Sequence, residues 1–366
     1  MTSQVYLDWN ATTPPLAEVI EAMAEAARTA WGNPASVHGT GRAARDLVET
    51  AREAIALLVG GSARDVIFTS GGTEANNLAL HGAPALVTSV LEHPSVTRVA
   101  EALEAAGRPV RWLPVPASGC LSAAAVAEAL VDLPQATVVA VAAANHETGV
   151  IQPIAEIGEV TRAAGARLHV DAVQAVGKLP TDELAGADTL SLAAHKLRGP
   201  KGIGALVHRP GRAPQPLLLG GSQERGRRPG TVDPVAAAGF RVAASWAKNT
   251  GPDQARLSRM RDQLEATLVG MGAVPNGSEA RRLGHVTNLS FAGRAGDELV
   301  AALDLLGVAV SSGSACSAGT TEPSKIISAM LGAPRARAAV RVSLGDATTD
   351  QDIALALDAF RRALRA

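Results

Sequence analysis

The 366-residue chain is poor in aromatic side chains, in cysteine and in net charge. Aromatics make up 2% of it, too few for base-stacking platforms to be the main function. Its two cysteines, Cys120 and Cys316, cannot build a disulfide framework or a four-thiolate metal site. Lys and Arg number 34 against 35 Asp and Glu, so no surplus of positive charge recruits nucleic acid or an anionic membrane surface. The longest apolar run, around Ala136 to Ala144, is strand-sized and far too short to span a bilayer. The first ten residues lack a basic segment followed by an apolar one, which predicts no secretory signal and a cytoplasmic protein. With 47% apolar and 19% charged residues, the chain can bury a sizeable core in one large domain or two. An enzyme is the expectation that remains.

Strand-like and helix-like segments alternate along most of the chain. Val66–Thr69, Ala85–Ser89, Thr137–Ala142, Arg167–Val170, Thr189–Leu192 and Gly204–Val207 read as strands, with helical spacing over residues 73–80 and 155–164. The unbroken apolarity of Val138–Ala142 suits a strand buried on both faces. This pattern predicts an α/β fold with a mostly parallel central sheet flanked by helices. Ligands of such sheets sit beyond the carboxyl ends of the strands. Near Lys248–Pro252 the composition shifts to a long helix and shorter strands, read as a smaller α+β domain. The expected division is a large domain over residues 14–250 and a small one over 1–13 and 251–366.

Polar residues just after strands carry the chemistry. Ser70-Gly71-Gly72-Thr73-Glu74 is a glycine turn opening a helix, a geometry that binds phosphate or merely turns the chain. It matches neither of the usual dinucleotide and triphosphate motifs. Asp171 follows a strand, where a carboxylate can pair with a protonated ring nitrogen or cap the next helix; Gln174 lies near it. Lys196 stands beside His195 at another strand exit, ahead of glycine-rich residues 199–204, a setting for a Schiff-base lysine or for a surface one. Ser311-Ser312-Gly313-Ser314-Ala315-Cys316 is a small-residue loop whose thiol has little to bury it. Cys120 has no comparable setting and reads as structural.

Together these segments resemble a cysteine desulfurase of the nitrogen-fixation and iron–sulfur-assembly type, with the class-V aminotransferase fold. The likeness runs nearly end to end. It takes in Tyr6-Leu7-Asp8-Trp9-Asn10-Ala11-Thr12, Glu92-His93, His169-Val170-Asp171-Ala172-Val173-Gln174, His195-Lys196, Gly220 to Gly226, the Cys316 loop and Val340-Arg341-Val342-Ser343. The resemblance implies pyridoxal 5′-phosphate (PLP) held covalently by Lys196, which also moves the substrate α-proton. It implies His93 stacked on the ring as acid/base, Asp171 on the ring nitrogen and Gln174 on the ring oxygen. Gly72, Thr73 and His195 are implied to hold the phosphate, with Thr231 reaching in from a second subunit of a homodimer. Arg341 is implied to clamp the carboxylate of L-cysteine, with Asn145 as a further substrate contact and His146 beside the cofactor. Cys316 is implied to take the sulfur as a persulfide and pass it to an acceptor or scaffold protein, for iron–sulfur or thio-cofactor biosynthesis. No metal site is expected, apart from transient cluster ligation left open for Cys316.

The chain departs from the family in two places. His146 stands where the family has a second Asn, and Ala193 where it has a phosphate-contacting Ser, a loss worth about 1 kcal/mol of hydrogen bonding. The alternatives are a selenocysteine lyase or other class-V PLP enzyme, and a catalytically weak sulfur-transfer partner. A metal hydrolase ranks last, because the eight histidines show no metal-ligand spacing.

Overall fold

The computed structural model describes residues 4–312 and 322–365. Cys316 lies outside the described residues.

Strand β1 (Val5–Tyr6) leads the chain into a large sheet. That sheet is built from β2 (Val66–Thr69), β3 (Leu86–Thr88), β4 (Val110–Trp112), β5 (Val138–Ala142), β6 (Arg167–Asp171), β7 (Thr189–Ala193) and β8 (Gly204–His208). Their order across the sheet is β2-β8-β7-β6-β5-β3-β4. Every residue of β2, β3, β5 and β8 is buried, as expected of strands covered by helices on both faces. The run from β4 through β3, β5 and β6 to β7 is parallel. Strand β8 runs antiparallel to both of its neighbours, β7 and β2. The link from β7 to β8 explains this. It spans only residues 194–203, too short for the crossover helix that a parallel return requires.

Past the helix Gln254–Gly270, β9 (Ala273–Pro275), β10 (Val286–Phe291) and, later, β12 (Ala339–Ser343) form an antiparallel sheet in the order β12-β10-β9. Strand β11 (Val308–Ala309) pairs in parallel with β1. One apolar cluster includes Phe68, Val141, Val170 and Phe240 around the large sheet. A second draws on Val5 and Leu7 and on residues from Leu257 to Ala363, including Phe291 and Phe360, whose rings stack at 5.7 Å. No described helix is long and apolar enough to cross a membrane.

The large sheet closes tightly where β8 begins. A methyl group on Gly204 would sit 2.5 Å from the Leu192 carbonyl oxygen and 2.7 Å from the Gly71 backbone. Gly71 caps the helix Gly72–Leu80, so this contact fixes where that helix points. Gly204→Ala is expected to cost about 2 kcal/mol through overpacking against main chain that cannot yield. Urea unfolding of the variant beside the parent protein measures it.

Candidate active site

The carboxyl ends of β2, β3, β5, β6 and β7 open on one cavity of about 390 Å³. It is lined by Gly72, Thr73, His93, His146, Asp171, Gln174, His195, Lys196 and Arg341, with Asn10 and Asn76. Nine of the expected site residues therefore meet in one place, although they are drawn from most of the chain's length.

At one end stands the helix Gly72–Leu80. Its cap, Gly71, has no side chain, so no side chain caps the amide groups of its first turn. A methyl group on Gly72 would meet Val173 Cγ2 at 2.8 Å, so only glycine fits that wall. Glu74 is turned away from the cradle. It accepts a hydrogen bond from Ser70 N at 2.6 Å and pairs with Arg228 at 2.8 Å, and these partners hold its carboxyl below the usual range against the opposing effect of burial. The His195 ring contacts Thr12 Oγ1 at 3.1 Å. Burial, then repulsion from Lys196, pushes its pKa down to about 4, so it is a neutral polar group. Ala193 lines the same wall without offering a hydroxyl.

Lys196 lies in the short 3-10 turn Ala194–Lys196 that follows β7. Its ammonium donates to the carbonyl oxygens of Asn10 and Ala11, the latter at 2.9 Å. Gln174 donates to the same Asn10 oxygen at 3.0 Å and accepts from Lys178 at 3.1 Å. Burial, then Lys196, lowers the Lys178 pKa to about 7.

Asp171 ends β6. One of its oxygens accepts from Val173 N at 3.0 Å and the other from Asn76 Nδ2 at 2.7 Å. Asn76 Nδ2 also donates to Ser95 Oγ at 2.8 Å, and Asn76 Oδ1 lies 3.0 Å from His169 Nε2. Ser95 in turn meets His93 Nδ1 twice, through its hydroxyl at 2.8 Å and its amide at 3.1 Å. The rings of His93 and His146 stand edge to face, 5.4 Å apart. Both pKa values are lowered by burial, and Lys196 adds to each shift. Asn76, Ser95 and His169 escaped the sequence reading. The available signal was the alternation along β6, with polar Arg167, His169 and Asp171 on one face and apolar Leu168 and Val170 on the other.

Arg341 on β12 forms the opposite wall and is buried. It donates to the His146 carbonyl oxygen at 3.0 Å and to Asp8 at 2.6 Å. Its backbone pairs with Ser311, five positions before Cys316 in the sequence.

Asn145, expected as a substrate contact, is not among the residues that line the cavity. Its Oδ1 accepts from Glu147 N, Thr148 N and Thr148 Oγ1, while its amide donates to Leu91 O at 2.9 Å. Its side chain is committed to holding the turn that presents His146. Thr231 is exposed and lies off the cavity within its own chain. Cys120 is unpaired, and burial raises its thiol pKa. Among the described residues, no cluster of three or more His, Cys, Asp or Glu is arranged to hold a metal.

The model of the family described as Aminotransferase class-V matches residues 5–355. The chain belongs to that family. Its relatives at 38–42% identity include cysteine desulfurases. An IscS-like cysteine desulfurase of Mycobacterium tuberculosis is 42% identical, over 99% of this chain and 97% of its own. Cysteine desulfurase IscS of Dictyoglomus turgidum is 38% identical, over 99% and 95%. Among solved structures, a NifS-like protein from Rickettsia africae superposes with a TM-score of 0.90 at 28% identity, covering 99% of this chain and 100% of that one. SspA in complex with cysteine matches 94% of this chain and 99% of its own, with a TM-score of 0.80 at 31% identity.

In this class-V protein a second cavity of about 460 Å³ shares His146 with the first and is lined also by Glu92, Glu147, Glu322 and Lys325. Glu92 is buried, and one of its oxygens has no hydrogen-bond partner. Burial raises its pKa from 4.5 to about 8, with Asp171 adding to the rise. Folding therefore takes up a proton at Glu92. The stability linked to it is fully present below the unfolded pKa and is lost as pH rises through the folded one. Glu92→Gln mimics the protonated side chain. Urea unfolding should give nearly equal stabilities at pH 4.5, then an advantage to the variant that grows to a few kcal/mol by pH 8 and levels off. A gap independent of pH would refute the assignment.

Proposed function

We propose that this protein is a PLP-dependent cysteine desulfurase that converts L-cysteine to L-alanine and carries the released sulfur as a persulfide on Cys316. The observation behind this reading is one cavity where Lys196, Asp171, His93 and Arg341 converge, in a chain whose relatives are cysteine desulfurases.

The residues present fit the cofactor. The amide groups at the start of the helix Gly72–Leu80, with Thr73 and neutral His195, suit a phosphate. Asp171 is an acceptor aimed by Asn76 and suits a protonated ring nitrogen. Gln174, fixed between Asn10 and Lys178, suits the ring oxygen. Bound PLP supplies an electron sink that favours carbanion character at the substrate α-carbon.

The rest of the work falls to the chain. Lys196 would hold the cofactor, and its Nζ would carry the α-proton. Arg341 offers a planar fork to the substrate carboxylate, in exchange for part of its bond to Asp8. His93, whose pKa burial lowers, would serve as the proton-exchanging group beside the cofactor. Cys316 supplies the sulfur nucleophile; the residues flanking its segment, Ser311 and Glu322, stand beside the two cavities. We assign the exposed Thr231 to the cavity of a second copy in a homodimer. The exposed Leu218 and Leu219 precede it on the same stretch. The sulfur passes to an acceptor of iron–sulfur or thio-cofactor assembly.

Incubation of the PLP-loaded protein with L-cysteine and a reductant should release sulfide and alanine in equal amounts. Borohydride reduction and peptide mass spectrometry should place the cofactor on Lys196. Cys316→Ala should keep the cofactor and lose sulfide release; retained sulfide, or a requirement for a keto acid, would overturn the proposal. Arg341→Lys should raise KM for cysteine about tenfold, since a single ammonium replaces the two-pronged donor. Mass measurement in solution should give twice the chain mass.

A further inference from the structure

The hydrogen bonds behind the cavity form a directed chain. Asp171, as a carboxylate, only accepts, so the Asn76 atom 2.7 Å from it is the amide nitrogen. The second hydrogen of that nitrogen goes to Ser95 Oγ at 2.8 Å. Asn76 Oδ1 then faces His169 Nε2 at 3.0 Å, which makes that nitrogen the donor. His169 Nδ1 correspondingly accepts from Thr189 Oγ1 at 2.9 Å. The Ser95 hydroxyl, having accepted from Asn76, donates to His93 Nδ1 at 2.8 Å, and the Ser95 amide donates to the same nitrogen. Two donors at Nδ1 leave the ring proton on Nε2.

We propose that Asn76, oriented by Asp171 and braced by His169, is a positioning residue that ties Asp171 to His93 through Ser95 and holds His93 as its Nε2–H tautomer. The group that would meet the ring nitrogen and the group that would stack on the ring thereby share one polar support. His169 and Ser95 belong to that support, and His169 does not line the cavity. This inference rests on the reading that Asp171 and His93 face the cofactor, but the hydrogen-bond chain is a property of the protein alone.

The test uses full-length protein labelled with ¹⁵N-histidine, with and without PLP, and the His93 signals assigned by a His93 variant. The parent protein should show one Nε2–H tautomer for His93 in both forms. Ser95→Ala removes the hydroxyl donor and should shift the Nδ1 resonance towards that of a more weakly bonded nitrogen. His169→Leu leaves Asn76 Oδ1 without its donor and loosens the amide that Asp171 and Ser95 still orient, which weakens its hold on the Ser95 hydroxyl; it should shift Nδ1 in the same direction, by less. His169→Gln keeps a donor towards Asn76 and should restore the parent spectrum. In the loaded enzyme, kcat/KM should fall roughly tenfold in Ser95→Ala and His169→Leu and recover in His169→Gln. An unchanged Nδ1 resonance in Ser95→Ala overturns the proposal even if His169→Leu fails to fold. So does a His169→Gln variant as impaired as His169→Leu. Because the spectra of the PLP-free protein stand without the cofactor, failure of the PLP reading would leave this result intact.

Discussion

Asn10 is where the two sheets are tied together. It is buried, and nearly every polar atom it has is engaged. Its backbone N–H donates to Ser343 Oγ on β12 at 2.9 Å, and its side-chain oxygen faces His285 at 3.0 Å. Its side-chain nitrogen donates to the His146 carbonyl oxygen at 3.1 Å, and its own carbonyl oxygen receives Gln174 and Lys196. Strand β1 anchors this segment to β11, and Thr13 fastens it to the His195 carbonyl at 3.0 Å. A cavity whose walls come from both sheets keeps its shape only while this segment stays in register. Buried polar groups that are all satisfied rigidify a structure in this way.

The field inside the cavity follows from the same packing. Lys196 and Arg341 face it, with Lys178 behind Gln174, while Asp171 and the more distant Asp8 supply the opposing charge. The depressed pKa values of His93, His146, His195 and Lys178 all include repulsion from Lys196. Neutral imidazoles lower the cost of gathering these cations, but an anionic ligand completes the balance. A phosphate at the helix start and a carboxylate at Arg341 lie where that need is greatest.

Strands buried on both faces were the most legible elements, since their apolarity is continuous and bounded by turns. Strand β4 was not seen, because three half-buried residues, Val110, Arg111 and Trp112, at a sheet edge carry no such signature. The reversal of β8 was encoded in the ten residues that precede it, a length that a pattern of strands and helices alone does not weigh. Within the site, residues at strand exits could be picked out by position. The turn-closing bonds of Asn145 were not legible, because the amide that closes a turn is chemically the same as one that binds a carboxylate. Asn76 was missed because its partners Ser95 and Asp171 lie 19 and 95 positions away in sequence and leave no local trace.

The substitution at His146 shows how main chain and side chain divide the labour at one position. Arg341 and Asn10 both bind the carbonyl oxygen of residue 146, and Asn145 holds the turn that presents it. None of these bonds involves the imidazole, so the wall stands whatever side chain follows. The ring itself packs against the edge of His93, between the two cavities. A second protonated histidine there would repel both Lys196 and Arg341, and burial removes that charge. A bulkier residue than asparagine is thus accommodated as a neutral partition, and the scaffold that carries the lysine and the arginine is left undisturbed.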